Sequence, residues 1–143
     1  MSFHAQPRAT ADIDLFIKPD AGNAKAVFAA LSEFAAPLEG LTPASFTERD
    51  KFFRMGRAPL MVDILPEISG VDFDSAWQRR VEVVIDQKSG LTAFFISSQD
   101  LIAAKLAAGR AQDIADVVAL RKAAASVRTR RHKKTVPERK KAR

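Results

Sequence analysis

The chain has 143 residues, 47% of them hydrophobic and 28% charged, with a formal net charge of +6 and no cysteine. That fits one ordinary globular domain and excludes a disordered chain, disulfides, zinc–thiolate sites and a cysteine nucleophile. No apolar run approaches the roughly 20 residues a membrane helix needs, and the N-terminus MSFHAQPRATADID lacks the apolar core of a signal peptide. A cytoplasmic protein with no membrane partner is therefore expected.

The first element is a strand over residues 10–17. Ile13, Leu15 and Ile17 alternate with Asp12, Asp14 and Phe16, which predicts one buried face. Pro19-Asp20 ends it, and Asp20 is placed to cap a helix over 24–34 with Val27, Phe28, Leu31 and Phe34 at helical spacing. Pro37 stops that helix, a loop follows, and 45–48 reads as a short strand. Strands over 52–55 and 60–65 flank Gly56-Arg57-Ala58-Pro59 and predict a hairpin. Asp72 then caps a short helix over 73–79, in which Trp77 and Phe73 read as a core anchor rather than a base-stacking platform. Residues 80–86 and 91–97 form a second hairpin around Lys88-Ser89-Gly90. Ser97 or Ser98 starts a helix that runs through Ala108, Gly109 punctuates it, and a last helix covers 111–125 with Ile114, Val117, Val118 and Leu120 as its apolar side.

The fold class predicted is α+β: a mixed sheet flanked by helices, with C-terminal helices and a disordered basic tail. Residues 126–143 carry nine Lys/Arg against one acid, Glu138, which leaves residues 1–125 slightly acidic at −2. The expected division is therefore a domain over 1–125 and a tail over 126–143. The tail is either a solubilising extension or a contact for RNA, DNA or an acidic partner. Nucleic-acid binding by it would be sequence-independent and salt-dependent, without base stacking, since it holds no aromatic residue.

Chemistry points to three carboxylates. Asp12 and Asp14, two apart on a strand, face the same way, roughly 6–7 Å apart at the backbone. Their like charges gain nothing from proximity unless a cation joins them, though a solvated strand face is the common use of such a pair. Asp63 interrupts the apolar run Leu60–Leu65, so it is expected to be metal-bound or paired with Arg8, Arg54 or Arg57. Hard oxygen ligands suit Mg²⁺, and two such ions about 3.5–4 Å apart support in-line phosphoryl or nucleotidyl transfer. The histidines, His4 and His132, are too few for a His-based metal site.

The run HAQPRATADIDLFI resembles the signature of small nucleotidyltransferase-fold proteins of the DNA polymerase β superfamily. MVDIL is similar to their later strand with a single Asp, ISGVDFDSAW to the connector, and DLIAAKLAAGRAQDIADVVAL to the helical pattern that follows. The matches extend from Phe3 to Leu120. Related chains include minimal nucleotidyltransferases and toxins of type IV toxin–antitoxin systems. The resemblance implies Asp12, Asp14 and Asp63 as the metal triad, with Asp63 as catalytic base for an acceptor hydroxyl. It implies one or two Mg²⁺ ions as cofactor and a nucleoside triphosphate as substrate. Lys105 either reaches the triphosphate, as the family lysine does, or snorkels to solvent. Arg8 either touches phosphate or pairs with the carboxylates. Asp113 and Asp116 are read as structural, fixing Lys105 or Arg110.

The resemblance departs at one point. The family places a Gly-Gly or Gly-Ser turn before the D-x-D strand, at the start of a helix ending near the Phe3-His4 position, where backbone N–H groups hold phosphates. The first glycine here, Gly22, comes after Asp14. The domain is thus read as lacking its first helix, with a start codon assigned too far downstream or a true truncation, and weak nucleotide binding is expected of the chain as given. Two functions follow: a metal-dependent nucleotidyltransferase, or a catalytically impaired binding module with a toxin–antitoxin or regulatory protein partner.

Overall fold

The structure is a computed structural model and describes residues 12–134. Its order is β1 (Asp12–Phe16), α1 (Ala21–Glu33), a 3₁₀ helix (Pro43–Thr47), β2 (Phe53–Arg57), β3 (Leu60–Leu65), α2 (Phe73–Gln78), β4 (Val81–Asp86), β5 (Leu91–Phe95), α3 (Ser98–Ala108) and α4 (Ala111–Lys134). The fold class is α+β, as expected. One sheet is mixed, in the order β1-β3-β2, with β1 parallel and β2 antiparallel to β3; β4 and β5 form a separate antiparallel pair.

Local chemistry sets most boundaries. Asp20 caps α1 by accepting from the Asn23 N–H at 2.8 Å, and Asp72 caps α2 by accepting from the Ser75 N–H at 2.9 Å. Ser97 caps α3, and Gly109 ends it in the left-handed conformation at φ 67°. Such caps satisfy backbone groups that a helix end leaves unpaired, each contributing about 1 kcal/mol. The segment predicted as a strand over 45–48 is instead the 3₁₀ helix. Pro43 suits a helix start, and the Thr42 backbone N–H donates to Ser45 Oγ at 3.1 Å, which favours a tight turn over extension.

The core lies between one face of the mixed sheet and the α1–3₁₀ layer. Ile17, Ala24, Leu31, Phe46 and Ile64 are buried there, with Phe53, Met55 and Val62 packed against them. Phe46 meets Phe28 and Phe53 edge-on at centroid distances of 6.4 and 6.0 Å. On β1 the expected buried face is realised only at its end. Ile17 is buried, but Ile13 and Leu15 are 59% and 44% exposed, because the covering layer packs on Val62 and Ile64 of β3 and on Phe53 and Met55 of β2.

Three further expectations are corrected. Trp77 is 43% exposed rather than a core anchor; it stacks on Phe73 and meets Phe94 edge-on along the outer side of the six-residue α2. Phe34 follows the last residue of α1 and is exposed. The buried side of α4 is Asp113, Asp116, Val117 and Leu120, while Ile114 and Val118 face outward. The helix also continues past Ala125 to Lys134, into the basic run. The rest of that run, 135–143, lies outside the described residues, as do His4 and Arg8. Among the described residues no helix is long and apolar enough to cross a membrane.

Candidate functional site

Strand register builds the site. Asp14 lies opposite Asp63 across β1–β3, and Arg54 lies opposite Asp63 across β2–β3. Paired residues on neighbouring strands share a face, so Asp14, Asp63 and Arg54 form a row across the sheet, with Asp12 beside Asp14. This is the face opposite the Ile64 core. It is polar because its positions alternate with the apolar ones that bury.

Asp63 is almost fully buried, at 7% exposure. Both of its oxygens are taken by one guanidinium: Arg54 Nε donates to Oδ1 at 2.7 Å and Nη2 to Oδ2 at 2.6 Å. This two-pronged bond holds the Asp63 carboxyl below the usual carboxylate range, although burial works against it. Of the two described arginines among its expected partners, Arg54 is bonded to it, and Arg8 lies outside the described residues. Arg57 belongs to the opposite face.

Asp14 shows the reverse behaviour. Partial enclosure pushes its pKa up, and the charges of Asp63 and Asp12 push it further in the same direction. Among the described residues, none donates a hydrogen bond to Asp12 or Asp14. Nor do any three of the described Asp, Glu, His or Cys side chains form a group that could hold a metal ion. The three predicted carboxylates thus share a face, but Asp63 is turned to Arg54 and leaves Asp12 and Asp14 as the open pair.

A second ionic cluster joins α3 to α4. Lys105 Nζ sits 2.8 Å from Asp116 Oδ2 and 3.3 Å from Asp113 Oδ1. Gln112 donates to the other oxygen of Asp116 at 3.2 Å, and Arg110 Nε donates to Asp113 at 2.7 Å. The carboxylates fix both Lys105 and Arg110. The Lys105 side chain is only 17% exposed, whereas that of Arg110 is 78% exposed. Asp113 supports the charge of Arg110 first, and Asp14 adds to it from the acidic face. Arg110 was read from sequence as a surface ion pair. The charge of Asp14 acting on Arg110 and the bond of Arg54 to Asp63 are the two features that sequence reasoning missed, and each depends on register or packing between distant elements.

Chain comparison gives the family. Residues 3–125 match the family described as nucleotidyltransferases of unknown function (DUF6036). The chain belongs to that family. No curated protein matches it. In this nucleotidyltransferase-like domain, a cleft of about 500 Å³ opens at the end of β1, lined in part by Phe16, Lys18, Asn23, Phe73 and Trp77. Of the residues on the carboxylate face, Phe16 lines this cleft, whereas Asp12, Asp14 and Asp63 do not.

Proposed function

We propose that this chain is a metal-dependent nucleotidyltransferase that moves a nucleoside monophosphate from a nucleoside triphosphate to a hydroxyl acceptor. The observation that carries the reading is the open pair Asp12 and Asp14 with Asp63 in register beside it. The donor set fits Mg²⁺. Two aspartates present hard oxygens without a hydrogen-bond donor among the described residues, and partial enclosure, with the charges of Asp63 and Asp12, disfavours the ionised form of Asp14. Mg²⁺ is commonly held by one or two carboxylates while it keeps waters and substrate phosphates. When bound it would neutralise charge on the triphosphate.

The chain's own residues supply the rest. Asp12 and Asp14 anchor the triphosphate end. Arg110, held by Asp113, offers an exposed guanidinium to phosphate oxygens near Asp14. The cleft beyond Phe16 gives room for the base or the acceptor. The acceptor oxygen bonds to the α-phosphorus as the α–β anhydride bond breaks, pyrophosphate leaves, and the hydroxyl proton passes to Asp63. The test is incubation with each α-labelled triphosphate and Mg²⁺, following pyrophosphate release and label transfer. Release that is abolished in Asp12→Asn supports the reading; release unchanged in that variant contradicts it.

One observation favours a second reading, a binding module on the same fold. Asp63 is fully engaged by Arg54, as a purely structural carboxylate would be. A binding module keeps its partner after Asp63→Asn, whereas the enzyme loses transfer while staying folded. The basic segment 126–143 would then add salt-dependent contacts to a nucleic acid or another polyanion.

A further inference from the structure

We propose that Arg54 is the resident cation of the acidic face and competes with a second divalent cation for Asp63. The site would then hold one open pair, Asp12 and Asp14, and one guarded carboxylate. This inference rests on the metal-dependent reading above.

The contact is built into the sheet. Arg54 and Asp63 are direct cross-strand partners, so the backbone itself brings them together. The planar fork uses both carboxylate oxygens, at 2.7 and 2.6 Å. A cation that takes an Asp63 oxygen must therefore displace at least one of these bonds. Of the two partners, Arg54 is the one with room to leave. Its side chain is 50% exposed against 10% for Asp63, and its guanidinium already lies 5.5 Å from the ring of Phe52, at the outer rim. Departure carries the arginine charge into water, where it remains solvated.

The surroundings couple this movement to the open pair. Asp14 lies in register beside Asp63, with Asp12 on the same face, so their charges add to the attraction that Asp63 exerts on Arg54. A cation on Asp12 and Asp14 cancels the added attraction and repels the guanidinium. Filling the open pair thus loosens Arg54 from Asp63, and the second site forms after the first. Arg54 keeps Asp63 from acting as base or ligand until the first cation has arrived.

Mn²⁺ is the probe, counted from the loss of its free paramagnetic resonance signal without nucleotide. Wild type is expected to bind one Mn²⁺ tightly and a second more weakly, and Asp14→Asn to lose the tight one. Arg54→Gln is expected to bind the second Mn²⁺ on the order of 10-fold more tightly than wild type. Far-UV circular dichroism checks the fold of each variant. If Arg54→Gln does not fold, Arg54→Lys decides, since it keeps a charge but not the fork; its affinity should lie above that of wild type. A folded Arg54 variant with wild-type stoichiometry and affinity overturns the proposal. Undiminished binding by Asp14→Asn overturns instead the reading on which it rests.

Discussion

The acidic face of β1 and β3 sets Asp12, Asp14 and Asp63 against one bonded cation, Arg54, whereas the α3–α4 junction sets Asp113 and Asp116 against Lys105 and Arg110. The junction is balanced. Every carboxylate oxygen faces a donor, and no described buried side-chain nitrogen or oxygen lacks a partner. The face carries two more carboxylates than bonded cations, and the excess falls on the pair that no described residue bonds. A balanced buried cluster holds two helices together. On the acidic face, partial enclosure first and the charges of Asp63 and Asp12 next raise the pKa of Asp14.

Substitutions can break this contrast. Asp14→Asn has the largest expected effect: nucleotide transfer should fall by at least about 100-fold, the scale of losses at metal sites. Its melting temperature should hold or rise, because a like-charge repulsion is removed. Loss of stability in parallel with activity would place Asp14 with the structural cluster. Lys105→Ala should do the opposite, costing about 3 kcal/mol in urea unfolding by leaving Asp113 and Asp116 without their shared cation. Unchanged stability with lost nucleotide affinity would assign Lys105 to the phosphates. Arg110→Gln sits between the regions; it should raise the KM for nucleotide about 10-fold, as expected for one charge-assisted contact, and barely move the urea midpoint.

Acid sharpens the comparison by its sign. Asp113 is held below the ordinary aspartate value of 3.8 by the bond from Arg110, and Asp100 below it by the bonds from Arg79. Their contribution is fully present above pH 3.8 and fades as pH falls through their lower folded values. Asp14 is raised, so its ionised form costs stability above its folded value, and the cost is relieved as pH falls through it. Melting curves should therefore show the advantage of Asp14→Asn over wild type vanishing on acidification above pH 3.8. The deficit of Asp113→Asn should persist there and shrink only below that value.

Much of this was legible in the chain. The caps at Asp20, Asp72, Ser97 and Gly109 depend on a few neighbouring residues, and the D-x-D pair is fixed by strand alternation alone. Asp63 stood out because it interrupts an apolar strand. Its partner was not legible, because the choice depends on hairpin register. A four-residue turn over 56–59 would have put Phe52 opposite Asp63. The actual turn uses only Ala58 and Pro59, so Arg57 pairs with Leu60 and Arg54 with Asp63. Gly56 permits this: it has φ 111° within β2, and a Cβ there would collide with the Leu60 carbonyl. The α4 stripe was misread for a related reason. Asp113 and Asp116 look like surface residues until Lys105, on another helix, is placed between them.

The central claim is that the open pair Asp12 and Asp14 takes a cation together with a nucleoside triphosphate. Calorimetric titration of ATP, GTP, CTP and UTP with Mg²⁺ into wild type and Asp14→Asn tests it most directly. The account predicts heat of binding for at least one triphosphate with wild type, and none once either Mg²⁺ or the Asp14 carboxylate is removed. Equal binding by the variant, or no binding by a folded wild type, would contradict it.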